Sequence, residues 1–142
     1  MLSSIVVGTD GSDTAQIAVD HAAELARACG AKLHIVSAYT PVAVRVDTAG
    51  APEGDEWSIG PDIMGEEVVT QAASTVSGVE IETHACRGDA AEALIETAED
   101  VNADVIVVGN RGMTGTRRFL LGSVPNHISH HAPCSVLIVR TS

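Results

Sequence analysis

A chain of 142 residues has room for one buried core and little more, so a single domain over residues 1–142 is expected. Its 8 Lys and Arg against 19 Asp and Glu leave a formal charge of −11, which disfavours nucleic acid and anionic membrane as partners, so any anion must be held by local donors. Cys29, Cys86 and Cys134 are odd in number and contain no C-x-x-C pair, which argues against a disulfide framework and for a reducing cytoplasm, while three aromatics (Tyr39, Trp57, Phe119) offer no platform for stacking bases.

The start, MLSSIVVGTD, has no basic n-region and meets an acid after a short apolar run, so export is not expected. SIVVG (Ser4–Gly8) reads as the first strand. Ser12 is placed to cap a helix with Ala18, Ala22, Leu25, Ala26 and Cys29 on one face, closed by Gly30 in the left-handed conformation. KLHIVSAY (Lys32–Tyr39) is the second strand. The segment from Thr40 to Pro61, with Pro41, Pro52, Pro61 and three glycines, is too long for a turn and is expected to form a mobile loop or lid. A helix weakened by Gly65 follows over Asp62–Ser77, ended by Gly78. VEIETHA (Val79–Ala85) is the third strand, and Asp89 with Glu92 has the spacing of a capping box for a helix whose Ala90, Ala93, Leu94, Ala98 and Val101 face the sheet. DVIVVG (Asp104–Gly109), a short helix over Ser123–His131 and CSVLIVR (Cys134–Arg140) complete the pattern.

Strands alternating with helices imply right-handed crossovers and a parallel sheet. The class is a doubly wound α/β domain with five strands flanked by four helices. In such sheets, ligands sit beyond the carboxyl ends of the strands where the winding reverses. Two strands here end in unusual loops: the first in GTDGS (Gly8–Ser12), the fourth in GNRGMTGTRRFLLGS (Gly109–Ser123). Strand order 3-2-1-4-5 brings both loops to one crevice and leaves the last strand on an edge.

Arg111, Arg117 and Arg118 are three of the eight basic residues, gathered in a glycine-rich turn that leads to a helix start. Gly109 and Gly112 permit a turn with inward N–H groups, while Gly122 and Ser123 supply amides and a hydroxyl at the positive end of a helix, the donors that phosphate requires. Asp10 is an acceptor suited to ribose hydroxyls or to a metal ion accompanying phosphate. A P-loop is excluded because the single lysine, Lys32, lies inside the second strand, and G-x-G-x-x-G is missing after the first.

With G-x-x-G, nine residues, then G-Ser, the stretch GNRGMTGTRRFLLGSVPN resembles the ATP-binding members of the universal stress protein family. The likeness extends from IVVGTDGSDTAQIAVDHAAELA at the beginning to SHHAPCSVLIVR at the end, and departs at Ser135, where many members carry proline, and in the variable Thr40–Pro61 segment. The resemblance implies roles for Thr9 and Asp10 at adenosine, for Ala38 and Val108 around adenine, and for Gly109, Arg111, Gly112, Gly122, Ser123 and Val124 on the phosphate side. It also implies ATP accompanied by Mg2+, and a homodimer through the C-terminal edge strand.

Simpler roles compete with some of these. Glycines alone mark turns, and it is their full spacing together with the arginines that favours a ligand. Arg117 and Arg118 taken singly are surface charge and stay outside the site. Asp10 can shape an Asp-Gly turn while also receiving a ligand. His127, His130 and His131 have helical spacing, but a histidine at a helix C-terminus complements the dipole, and no resident metal site is assigned. The cysteines count as small hydrophobes, with Cys29 facing the core and Cys134 opening a buried strand. The acidic run Glu92, Glu96, Glu99 and Asp100 is a solvated face. The expected role is a nucleotide-dependent stress regulator or sensor without catalytic residues. The alternatives are a slow ATPase, with Asp10 and Arg111 as nominal participants, and a dimeric interaction module that ignores nucleotide.

Overall fold

The computed structural model describes residues 2–39, 61–110 and 123–141. Among them run β1 (Ser4–Gly8), α1 (Asp13–Cys29), β2 (Lys32–Tyr39), α2 (Pro61–Ser74), β3 (Ile81–Arg87), α3 (Ala90–Asp100), β4 (Val105–Gly109), α4 (Ser123–His131) and β5 (Ser135–Val139). The strands form one parallel sheet in the order β3-β2-β1-β4-β5, as expected.

Alternation along the strands divides the core into two layers. Ile5, Val7, Leu33, Ile35, Val105 and Val107 face α1 and α2, while Val6, Val36, Ile106 and Val108 face α3 and α4. With almost no aromatics to fill space, the helices meet the sheet through small side chains: Ala18, Ala22 and Ala26 from α1, and Ala91 and Ala98 from α3. Serine at the start and glycine at the end fix α1. The Ser12 hydroxyl accepts from the Ala15 amide, and Gly30 at φ 70° sends its N–H back to Ala26.

The structure corrects four details of the sequence reading. In α3 the buried face is Ala91, Ala93, Leu94, Thr97 and Ala98, with Ala90 only half-buried. The Asp89 carboxylate accepts from the amides of Ala91 and Glu92, and the helix so phased turns Ala91, Leu94 and Ala98 inward at i, i+3 and i+7. The second helix ends at Ser74, ahead of Gly78, whose φ of 74° serves the turn into β3. β3 itself begins at Ile81, two residues later than expected. The fifth strand is not buried along its length: Val139 is buried and Val136 half-buried, but Ser135, Leu137 and Ile138 are exposed because β5 is the sheet edge that the strand order places there. The expected lid over 40–61 lies outside the described residues apart from Pro61, which opens α2 where its missing N–H costs nothing.

At the amino ends of the strands, Asp104 ties β1 to β4. Its Oδ2 accepts from the Ser3 amide (2.7 Å), the Ser3 hydroxyl (3.1 Å) and the Ser4 amide (3.1 Å). The two backbone donors, led by Ser3, hold the carboxyl below its ordinary value of 3.8. A carboxyl depressed on folding contributes stability above its unfolded value and loses it as pH falls through the folded one. Asp104→Asn is therefore expected to lower the melting temperature by a few degrees at neutral pH, with the gap to wild type closing below about pH 3.8. Thermal melts from neutral to acid pH check this; a gap undiminished in strong acid would refute it.

Candidate functional site

β1 and β4 lie side by side and parallel, so Gly8 and Gly109 end at the same margin of the sheet. From there the chain leaves β1 toward α1 on one face, while the order of strands reverses across β1 and β4. This is the switch point at which α/β sheets hold ligands.

Thr9 is buried, its amide donates to the Val36 carbonyl (2.9 Å) and its hydroxyl accepts from the Gly11 amide (3.0 Å), so its position is fixed by β2 and by the turn it begins. Asp10 is exposed and its Oδ1 accepts from the Ser12 amide at 2.9 Å. The carboxylate thus shapes the turn, with Gly11 at φ 86°, and still presents acceptor capacity to solvent. Ala38 is half-buried near the end of β2 and Val108 is buried near the end of β4, both on the α3 face. Gly109 passes so close to Thr141 that a Cβ there would meet the threonine methyl at 3.1 Å. Ser123 is exposed as the first residue of α4, and Val124 is half-buried beneath it. Arg111, Gly112 and Gly122 lie outside the described residues.

Two hollows open along this margin. At the switch point, Gly8, Thr14, Val108, Gly109, Val124 and Thr141 enclose about 20 Å³, the space of a water molecule. On the α1–α2 side a wider cleft of about 660 Å³ takes in Thr9, Asp10 and Ser12 together with Asp13, Asp20 and Glu67. The wide cleft has the volume for a small molecule, but its carboxylates oppose phosphate. Of the two, the hollow at the switch point has surroundings better suited to an anion, with the backbone of Val108 and Gly109 and with Val124 in the first turn of α4.

Thr14 and Thr141 were not singled out by sequence, nor was Asn110, whose side-chain oxygen accepts from the Thr141 amide (2.9 Å) and hydroxyl (3.1 Å) while its own amide donates to Val139 (2.8 Å). An asparagine after a strand-ending glycine is a common turn signal and gave no hint of its partner. His127 and His131 lie with ring centroids 4.5 Å apart along α4, and with His130 they do not converge into a set of three donors. A group of this kind does occur elsewhere, at His34, Glu82 and His84.

The model of the universal stress protein family matches residues 1–140. A universal stress protein of Mycobacterium tuberculosis (strain H37Rv) is 37% identical over 142 residues, covering 98% of this chain and 97% of the relative. One from Methanocaldococcus jannaschii is 32% identical over 148 residues, covering 99% and 83%. Among solved structures, a universal stress protein in complex with cAMP superposes with a TM-score of 0.74 at 36% identity, covering 99% of both chains. The universal stress protein from Archaeoglobus fulgidus in complex with dAMP gives 0.64 at 26% identity, covering 99% and 100%.

Proposed function

The chain belongs to the universal stress protein family, and from that premise we propose that it binds an adenine nucleotide, ATP with Mg2+, at the margin between β1 and β4 and acts as a cytoplasmic nucleotide-dependent stress regulator or sensor. The observation that carries the reading is the run Gly109-x2-Gly112-x9-Gly122-Ser123, which begins at the carboxyl end of β4, beside the Thr9-Asp10 turn of β1 and at the sheet's switch point. The similar structure in complex with cAMP supports the choice of an adenine nucleotide.

In this reading the nucleotide lies across the rim, because the hollow that the described residues form at the switch point is small, about 20 Å³. Its phosphates face Gly109, Arg111, Gly112, Gly122, Ser123 and Val124. Its sugar faces Asp10, with Thr9 fixing the turn, and its base faces Ala38 and Val108. Mg2+ requires oxygen donors that keep part of its hydration shell, and the exposed Asp10 carboxylate has that chemistry. Regulation through such a site needs only binding, and no catalytic residue is assigned.

The protein partner surface in this reading is β5. It is the apolar edge of the sheet, with Leu137 and Ile138 among the exposed large hydrophobics, and pairing with a second copy would cover it. The site is tested by denaturing freshly purified protein and identifying any released small molecule by chromatography and mass. An adenine nucleotide is expected; its absence, together with no binding of added ATP, cAMP or AMP, would leave the interaction module as the surviving role.

A further inference from the structure

A second cluster of chemistry-bearing side chains lies near the other end of the sheet, on strands β2 and β3. In the parallel register His34 stands opposite Glu82 and Val36 opposite His84, so alternation puts His34, Glu82 and His84 on one face of neighbouring strands. His34 is only 4% exposed, and its Nδ1 lies 3.0 Å from His84 Nε2. The Glu82 carboxylate spans the pair, with Oε1 3.9 Å from His34 Nδ1 and Oε2 3.8 Å from His84 Nε2. α3 packs over β2 and β1, while Glu82 on the edge strand is about half exposed (49% of its side chain), which leaves a path from solvent to the group.

We propose that His34, Glu82 and His84 form a binding site for one divalent transition-metal ion of the zinc type. Two imidazole nitrogens and a carboxylate oxygen are the donors such an ion takes, and three protein donors with an open side leave the fourth position to water. At metal–donor distances of about 2.0–2.1 Å and tetrahedral angles, donor atoms sit about 3.3 Å apart. With Glu82 Oε2 as the carboxylate donor, the two separations about His84 Nε2, 3.0 Å to His34 Nδ1 and 3.8 Å to Oε2, bracket that value, and all three donors lie within 4.8 Å of one another, so side-chain rotation without backbone movement closes the site. Lys32 Nζ lies 2.8 Å from Glu82 Oε1, which leaves Oε2 for the ion and gives the carboxylate an outer partner that fixes its orientation. The site shares no residue with the nucleotide margin and stands whether or not a nucleotide binds there.

The test is titration of the chelator-treated full chain with Zn2+ near neutral pH against a chromophoric competitor. One ion per chain is expected, bound at micromolar concentration or tighter, with His84→Ala weakening it at least about tenfold and the double variant His127→Ala, His131→Ala leaving it unchanged. In wild-type protein the imidazole nitrogen resonances of His34 and His84 should move on zinc addition, a readout that survives if His84→Ala does not fold. Uptake only at millimolar zinc, uptake lost with His127 and His131 but kept in His84→Ala, or unmoved His34 and His84 resonances would each overturn the proposal.

Discussion

Gly122→Asp protein is expected to leave purification without the adenine nucleotide that wild type retains, and to bind added nucleotide about 100-fold or more weakly. Gly122 stands immediately before Ser123, the first residue of α4, where the helix dipole and free amides favour negative charge. An aspartate there supplies its own anion. A phosphate then loses hydrogen bonds of about 1.5–3 kcal/mol each and meets a like charge that adds about 1–4 kcal/mol at a separation near 4 Å. Losses of that order exceed the 2.8 kcal/mol or so that corresponds to 100-fold. Calorimetric titration, with circular dichroism to confirm an intact fold, reads the result. A folded Gly122→Asp variant that keeps its nucleotide would remove the phosphate side of the proposed site.

The second large effect concerns β5. A wild-type chain at micromolar concentration is expected to scatter light as a dimer, and Leu137→Lys as a monomer, with the dissociation constant raised at least about 100-fold. Ser135–Val139 carries no charge, and Leu137, 40% exposed, is the most exposed large side chain on the strand. In a dimer joined along this edge, the substitution would place an ammonium in each half of the contact, to be desolvated or to hold the strands apart. Unchanged mass for the variant would move the partner surface elsewhere; a monomeric wild type would remove the dimer.

The fold was legible because each crossover carried its own signals. Ser12, Gly30 and Asp89 marked helix ends through backbone hydrogen bonds that depend on neighbours only a few residues away. The strand order is the arrangement that places the loops of Asp10 and Gly109 side by side. What the sequence hid depended on register and exposure. Ala90 and Ala91 are identical in composition, and which faces the sheet is set by the helix phase that Asp89 imposes. Likewise, the apolar run CSVLIVR suggests a buried strand even though the expected strand order puts it on an edge, and only side-chain exposure shows which residues face solvent. His34 and His84 are 50 residues apart and each lies in an ordinary strand pattern, so only the β2–β3 pairing shows that they touch. Alternation at His34 and at Glu82-x-His84 was the one available clue, and it acquires meaning only once the register is fixed. For the candidate nucleotide site, Thr9 and Asp10 line the cleft on the α1–α2 side and Val108, Gly109 and Val124 line the separate hollow at the switch point, whereas Arg111, Gly112 and Gly122 lie beyond what the structure describes.

Asn110 begins the glycine loop and grips Thr141, just past the end of β5, through both its amide and its hydroxyl. One short polar clasp therefore joins the segment proposed to receive phosphate to the strand proposed to meet a second copy. Should occupancy of the first alter the clasp, thermodynamic linkage requires reciprocity: whatever factor nucleotide adds to self-association, self-association must return to nucleotide affinity. A regulator wired in this way would report the product of two concentrations, its own and that of its ligand.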